Sequence, residues 1–335
     1  MSSVEQPISA ALPTSSDTIG SRLRELVEPA ADPLPLPGYG QTLVRWRALS
    51  RIAAEDVALV KLFEGHWDAL AIMAELGAPE PPAATMWGTW AAEPPTARLM
   101  MSRTATGVRL DGRKSWCSGA GTVDHSVVTA WDEDGNQCLF AVSLDQAGVE
   151  VTDEGWHAVG MGRSDSSDVL FHQVHAHQFG RPGDYTSRPG FWHGGAGIAA
   201  CWYGATLPFV CALTELVERR SDPHAAAHLG AVTTSVAATR ALLRESAAWI
   251  DENPFSDAQA VALRARAAAE HCAALVLDRA GRALGAGPLC RDGALAQRFA
   301  DLPVFVRQSH AERDLAELGR ITATGRAEPA DEWLL

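Results

Sequence analysis

The chain has 335 residues, more than one hydrophobic core normally holds, so we expect two or three packed units. Its formal net charge of −13 disfavours nucleic acid as a partner, because phosphate binding requires clustered Lys and Arg. The six cysteines form no CxxC pair and no zinc-site spacing, which predicts free thiols in a reducing cytoplasm and no metal site.

The first 80 residues predict a disordered start followed by an N-terminal helical unit. The opening segment has no basic region followed by an apolar core, so we expect no export signal, and we expect no membrane span elsewhere. From Gln41 to Leu76, apolar residues recur at three- to four-residue spacing, which is typical of amphipathic helices. The Pro-rich stretch 78–83 ends this unit, because proline removes a backbone donor.

Residues 81–186 predict a central β domain. Short apolar runs at 107–110, 125–131 and 137–143 indicate strands. Turn residues separate such runs at Asp111-Gly112, Asp134-Gly-Asn136 and Arg181-Pro-Gly-Asp184. Strands and turns at this spacing favour an antiparallel barrel or sandwich.

Residues 187–325 return to the helical period. Breaks near 221–223, 253–254 and 285–288 divide the stretch into four segments, which is typical of a four-helix bundle. The predicted fold class is therefore α+β, with an N-terminal helical unit, a central antiparallel β-barrel or sandwich and a C-terminal four-helix bundle.

Two segments of the β domain carry a family resemblance. Residues 110–119, Leu-Asp-Gly-Arg-Lys-Ser-Trp-Cys-Ser-Gly, place a hydroxyl two positions after an aromatic residue and follow a Gly-x-Lys turn. This pattern resembles the acyl-CoA dehydrogenase superfamily, and residues 159–174 resemble its closing strands with Arg163 displaced by one position. The resemblance implies that Trp116 lies against a flavin ring, that Ser118 hydrogen-bonds near the reactive flavin nitrogen, and that Arg163 is a further FAD contact. A core Trp in a hairpin is the alternative for Trp116.

Further cofactor contacts follow from the same resemblance. Arg220 stands where the family places an Arg that reaches a flavin pyrophosphate, commonly in a neighbouring subunit, which implies a homodimer or homotetramer. Gly285 and Gly287 resemble a glycine turn after the third bundle helix, although a helix C-cap explains them equally well. Thr89, with Glu93, keeps part of the loop that enters the β domain.

The usual catalytic Glu of the family is absent. Ser309 stands at its position before the last helix, and Gly194 stands at the alternative position on the first bundle helix. A serine hydroxyl is not a base unaided, so the candidate catalytic residues are His193, His310 and Glu312. A structural His that caps a helix or contacts a cofactor is the alternative for both histidines.

The resemblance implies a function together with two alternatives. It implies an FAD-dependent oxidoreductase that oxidises an acyl-CoA, a carrier-bound acyl chain or a related activated acyl substrate at its α and β carbons. A flavin-dependent monooxygenase or oxidase on the same fold would not need the absent Glu. A non-redox scaffold or binding homologue that has lost the flavin is the third hypothesis.

Overall fold

The computed structural model describes residues 16–28, 33–105 and 107–324. The disordered start was predicted for residues 1 to about 20, of which 1–15 lie outside this range. Residues 16–20 are helical, so that part of the prediction is wrong. The chain divides into two compact units. The barrel unit holds the described residues up to Leu34 and residues 58–191, and the helical unit holds residues 35–57 and those from Trp192 onward. The ranges predicted as domains, 1–80, 81–186 and 187–325, stay predictions.

Helices and strands follow one another in the predicted order. The helices are α1 (Ser16–Val27), α2 (Thr42–Glu55), α3 (Val57–Glu75), α4 (Asp184–Ser187), α5 (Pro189–Arg219), α6 (Pro223–Glu252), α7 (Gln259–Leu284), α8 (Ala286–Arg291), α9 (Gly293–Phe305) and α10 (Glu312–Ala323). The strands are β1 (Trp87–Trp90), β2 (Leu99–Thr104), β3 (Gly107–Cys117), β4 (His125–Trp131), β5 (Gln137–Ser143), β6 (Val149–Val151) and β7 (Ser167–Phe179). Helix α1 was not predicted from the sequence.

Five strands of the barrel unit close into a ring. Antiparallel pairing joins β2 to β3, β3 to β7, β7 to β5 and β5 to β4, and a parallel contact between Met100 and Trp131 joins β4 back to β2. Strand β1 adds to β4 in parallel, and β6 adds to β7 antiparallel. The predicted barrel is thus confirmed, with parallel pairing only at β4 among the described strands.

The predicted turn at Asp111-Gly112 is wrong, because both residues lie inside β3. Gly112 has φ 125°, and the register with β7 shifts between Leu110 and Gly112, so the pair forms a bulge within a continuous strand. A side chain at Gly112 would collide with the carbonyl oxygen of Arg98 on the chain entering β2. The same residue types that favour a turn therefore serve here as a bend in a strand.

Helix α3 covers one part of the barrel. Its buried residues Ala69, Ile72 and Met73 pack with the inward side chains of four strands. Those strand residues are Trp87, Val127, Leu139 and Phe179. The three helix positions are spaced three and one apart, which places them on one face, as the helical period predicts.

In the helical unit, α2 is fixed by groups far along the chain. Asp251, near the end of α6, accepts hydrogen bonds from the Thr42 hydroxyl at 2.6 Å and from the backbone amides of Gly40 and Thr42. Its carboxylate therefore caps the N-terminus of α2, where backbone amides lack helical partners. Helix α5 meets α2 through Gly204, whose missing side chain leaves room for the backbone of Ser50.

The fourth predicted bundle segment is not one long helix. It consists of α8, α9 and α10, because Asp292 begins α9 as its cap and Ala311 has a left-handed φ of 45° before α10. Residues 189–214 of α5 contain no charged side chain of Asp, Glu, Lys or Arg, an uncharged stretch that was not predicted. Among the described helices, α5 alone is long and apolar enough to cross a membrane, and 72% of its most apolar window is buried, which is typical of a core helix.

Candidate functional site

Trp116 projects from β3 while its neighbours are buried. Its side chain is 50% exposed, whereas Lys114 and Cys117 are almost fully buried. The register of β3 with β7 shifts between Lys114 and Cys117, and Trp116 has a left-handed φ of 59°. A carboxylate oxygen of Asp168 lies 3.4 Å from the Trp116 amide nitrogen, and its other oxygen accepts from Arg113 at 2.9 Å. The bulge thus turns the indole outward.

Ser118 belongs to a chain of three serine hydroxyls. Its Oγ lies 2.8 Å from Oγ of Ser166, which lies 2.8 Å from Oγ of Ser164. Ser164 donates in turn to the carbonyl oxygen of Met161 at 2.6 Å. Ser164 and Ser166 are buried, while Ser118 is half-buried. The exposed aromatic ring and the hydroxyl two residues later are therefore anchored by separate polar contacts.

A buried ammonium group lies beneath this segment. Lys114 donates to Oε1 of Glu93 at 2.6 Å and to both the carbonyl and the hydroxyl of Thr129. Glu93 also accepts from Oγ1 of Thr129 and from Nε1 of Trp131. Burial raises the pKa of the adjacent Cys117 thiol above its ordinary value, so this cysteine stays protonated. Lys114 and Glu93 accordingly hold the site together but leave its chemistry to exposed groups.

The other sequence-predicted residues of the barrel unit, Thr89 and Arg163, lie on β1 and in the turn before Ser164. Thr89 donates from its hydroxyl to the carbonyl oxygen of Gly65 at 2.8 Å, which ties β1 to α3. Trp90, the next residue, donates from Nε1 to the carbonyl oxygen of Ser118 at 3.0 Å. Arg163 is half-buried in the 3-10 turn Gly162–Ser164, directly before the buried Ser164. The structure places Thr89 in strand β1 and not in a loop, and β1 is joined to the Ser118 backbone through Trp90.

The three candidate bases occupy different surroundings in the helical unit. His193 is 2% exposed, and a side chain at Gly38 would come within 2.8 Å of its Nδ1. His310 is exposed, and its Nδ1 lies 3.3 Å from a carboxylate oxygen of Asp314. Glu312 is exposed in the first turn of α10. Of these, only His193 is enclosed by protein, as a base shielded from water would be.

Ser309 carries a structural hydrogen bond. Its Oγ accepts from the amide of Ala311 at 3.0 Å, ahead of α10. Arg266, which was not predicted from the sequence, donates to the carbonyl oxygens of Gly195 at 3.1 Å and Gln308 at 3.0 Å. Its guanidinium also lies 4.8 Å from the ring centre of Trp202. One cation therefore links the two chain segments where the resemblance places a catalytic carboxylate.

Three predicted cofactor residues lie at helix ends. Arg220 follows the last residue of α5 and is exposed. Gly285 ends α7 with φ 68°, as a C-cap glycine does, and Gly287 lies inside the short helix α8. Their roles in cofactor binding stay predictions. In the described part of the chain, no group of three or more His, Cys, Asp and Glu side chains is arranged to hold a metal ion.

A cavity of about 550 Å³ opens elsewhere in the barrel unit and includes none of the predicted site residues. Arg24 of α1 and Asp124 line it, with 3.7 Å between their charged groups. His125 also lines it, and burial lowers the pKa of this imidazole below its ordinary value. Sequence patterns do not reveal this cavity, because α1 and the strand ends that form it are far apart in the chain.

No protein-family model matches the chain, and no curated protein matches it in sequence. Solved structures do match. Dibenzothiophene monooxygenase TdsC from Paenibacillus sp. A11-2, in complex with FMN and indole, gives a TM-score of 0.77 at 19% identity, covering 92% of this chain and 95% of that chain. Butyryl-CoA dehydrogenase from Megasphaera elsdenii gives 0.78 at 17% identity, covering 92% and 90%.

KijD3, in complex with FMN and a dTDP-linked amino-keto sugar, gives a TM-score of 0.75 at 18% identity, covering 95% of this chain and 88% of that chain. All three have the acyl-CoA dehydrogenase fold. This confirms the predicted resemblance and the predicted fold class for the chain. At such identities the likeness extends to the fold, and the reaction must be argued from the residues of this chain.

Proposed function

We propose that the protein is a flavin-dependent oxidoreductase whose barrel unit presents Trp116 to the flavin ring. The observation that carries the proposal is the half-exposed indole, held outward by a left-handed bulge between buried neighbours. An exposed aromatic face that the backbone is bent to present fits stacking against a flat aromatic ligand. TdsC and KijD3, which share the fold, have both been solved with FMN.

The residues around Trp116 fit such a cofactor. Ser118 supplies a hydroxyl two positions from the ring, and the buried pair of Lys114 and Glu93 fixes the strand beneath it. When bound, a flavin supplies hydride chemistry or, in its reduced form, reaction with dioxygen. FAD stays the predicted form, with Arg220, Gly285 and Gly287 as its candidate contacts.

Of the possible reactions, we favour oxygen-dependent chemistry with reduced flavin, as in a monooxygenase or oxidase. Removal of an α proton from an acyl chain requires a base. Ser309 stands at the position of that base and accepts the Ala311 amide, and Arg266 bonds the carbonyls of Gly195 and Gln308 beside both candidate positions. Neither candidate position carries a carboxylate, and a guanidinium beside them opposes the protonation of a base there.

Oxidation of an acyl thioester at its α and β carbons is the second candidate. The enclosed imidazole of His193 favours it, because a base shielded from water is what this reaction requires. His310 and Glu312 are exposed and serve this role less well. Under this candidate, His193→Gln lowers turnover and leaves flavin binding unchanged.

Reconstitution with FMN and with FAD, followed by visible absorption spectroscopy, tests the proposal. We expect a flavin spectrum that is weakened in Trp116→Ala and kept in Phe255→Ala, a control that removes a more exposed aromatic residue, 89% exposed. Oxygen uptake with an added flavin reductase supports the monooxygenase or oxidase, and anaerobic bleaching by an acyl-CoA supports the dehydrogenase. A protein that stays colourless with both flavins contradicts the proposal and favours a scaffold that has lost the cofactor.

A further inference from the structure

The three serine hydroxyls of the barrel unit form a chain with a definite direction. The chain runs from Ser118 through Ser166 to Ser164 and ends at the carbonyl oxygen of Met161, with oxygen–oxygen distances of 2.8, 2.8 and 2.6 Å. Ser164 is fully buried and Ser166 is 3% exposed. Only Ser118, at the start, is within reach of a ligand.

The direction follows from counting protons. Each serine hydroxyl carries one proton, and a carbonyl oxygen accepts only. The proton of Ser164 is used on Met161, so the proton between Ser164 and Ser166 comes from Ser166. The proton between Ser166 and Ser118 must then come from Ser118. With all three hydrogen bonds formed, Ser118 has no proton for a ligand and offers lone pairs only.

We propose that Ser118 accepts a hydrogen bond from the bound flavin and that the site therefore prefers the reduced flavin over the oxidised one. The inference rests on the proposed function, in which Ser118 lies near the reactive flavin nitrogen. Reduced flavin carries a hydrogen on that nitrogen, N5, whereas oxidised flavin has a lone pair there. A Ser118 hydroxyl that only accepts can bind the N5 hydrogen of reduced flavin. In oxidised flavin, its lone pair faces the lone pair of N5 and no hydrogen bond forms.

Ser166 and Ser164 are positioning residues in this scheme, because they act on the flavin only through Ser118. Their burial keeps water away from the inner two hydroxyls, so solvent does not supply an alternative acceptor. The preference for reduced flavin fits a protein that receives reduced flavin from a separate reductase and uses it with oxygen.

Binding of oxidised and reduced FMN, the latter under anaerobic conditions, tests the inference by titration. From the net value of one hydrogen bond, we expect the wild type to bind reduced FMN about three- to tenfold more tightly than oxidised FMN. Ser166→Ala removes the acceptor of the Ser118 proton, which then becomes available to oxidised FMN. In this variant we expect oxidised FMN to bind more tightly than in the wild type, so that the preference is lost or reversed.

Two further variants separate the effect of hydrogen-bond direction from a general disruption of the site. Ser164→Ala leaves Ser166 free to donate to Ser118, so the same change is expected without altering Ser166 itself. Ser166→Thr keeps the hydroxyl and is expected to keep the wild-type preference. A purely structural role predicts weaker binding of both redox forms in the two alanine variants, and that result would overturn the inference.

The same titration separates the two proposals. A wild type that binds neither redox form of FMN or FAD contradicts the flavin function itself. A wild type that binds flavin with equal affinity in both redox forms leaves that function standing and refutes the directed hydroxyl chain.

Discussion

Trp116 combines an exposed ring with a backbone conformation that large side chains avoid. At φ 59° its β-carbon crowds the following carbonyl, which costs roughly 1–2 kcal/mol relative to a right-handed conformation. Asp168 holds this geometry from β7 through the Trp116 amide and through Arg113. A strained backbone that presents a half-exposed ring supports the proposed contact with a flavin.

Substitution of Trp116 by glycine and by alanine therefore separates the effect of backbone strain from the effect of losing the ring. We expect the free energy of unfolding of Trp116→Gly to exceed that of Trp116→Ala by about 1 kcal/mol, because glycine adopts a left-handed φ without strain. Urea unfolding of the two variants measures this difference. Both variants lose the indole, so both are expected to bind flavin more weakly. Equal stability of the two variants would contradict the strained geometry.

His66 links protein stability to pH. Its ring is 3% exposed, and burial lowers its pKa to about 4. Nδ1 accepts from the Trp87 amide at 3.1 Å, which requires the neutral imidazole at that nitrogen. Between the folded pKa and the unfolded value near 6.5, the unfolded chain binds more protons, so stability falls as pH falls through this window.

The expected loss from His66 between pH 6.5 and 4 is about 3 kcal/mol. Urea unfolding across this range measures it as the difference in slope between the wild type and His66→Asn, whose amide oxygen replaces Nδ1 as the acceptor. His172→Asn, at an exposed imidazole, is the control and should keep the wild-type slope. Identical slopes for His66→Asn and the wild type would show that His66 does not control acid stability.

Glu93 is the centre of a buried network rather than an isolated ion pair. Its carboxylate accepts from Lys114, Thr129 and Trp131. We expect Glu93→Gln to destabilise the fold by about 3 kcal/mol in urea unfolding, because it leaves the buried ammonium of Lys114 without its counter-charge. Glu154→Gln removes the exposed partner of Arg113 instead and should cost less than about 1 kcal/mol.

At the scale of elements, helix packing in the helical unit depends on two glycines of α5. Gly197 and Gly204 are seven residues apart, which places them on the same face of the helix. A side chain at Gly197 would touch Trp46 and Leu49, and one at Gly204 would collide with the backbone of Ser50. The small residues therefore set how closely α5 approaches α2.

Gly204→Ala is expected to destabilise the protein by about 2 kcal/mol, because the backbone of Ser50 must move to admit the methyl group. Gly230→Ala is the matched control in α6, where an added side chain meets nothing within 4 Å. That variant should gain about 0.5–1 kcal/mol from helix propensity. Thermal and urea unfolding of the pair give both values, and a neutral Gly204→Ala would contradict the close helix contact.

Some elements are predictable from local pattern and others are not. The apolar runs at 125–131 and 137–143 are joined by a turn that contains Gly135, and they coincide with β4 and β5. The bulges at Gly112 and Trp116 arise from pairing with β7, more than 50 positions away, so local residue types do not reveal them. The three-helix division of the last bundle segment was likewise hidden, because Asp292 and Ala311 act through single backbone positions.

At the scale of the whole molecule, the order of motifs predicts the fold, whereas contacts distant in the chain make the site. Trp116 and Ser118 were found because a short pattern contains both. Ser166, which orients Ser118, lies 48 positions later, and Arg266 reaches Gly195 across 71 positions. Neither has a local signal, since serine and arginine are common residues whose roles here depend on which backbone atoms they face.

Oligomeric state is a prediction that belongs to this scale. The resemblance implies a homodimer or homotetramer, with Arg220 reaching the flavin of a neighbouring subunit. Light scattering is expected to give about two or four times the chain mass of 35.7 kDa. Arg220→Ala should keep that mass and weaken FAD binding more than FMN binding, because only FAD carries the pyrophosphate. A monomeric protein would exclude the intersubunit contact.

Closure of the barrel also bears on how the folded protein resists aggregation. Among the described strands, β1 and β6 are paired on a single side and have four and three residues, and β2 meets β4 through the single pair Met100 and Trp131. An unpaired strand edge is a template to which another chain can add, and short edges offer few free backbone groups. The long strand β7 is flanked by β3 on one side and by β5 and β6 on the other. Intermolecular strand addition to the described barrel thus has short starting points at β1, at β6 and along the edge of β2 beyond Met100.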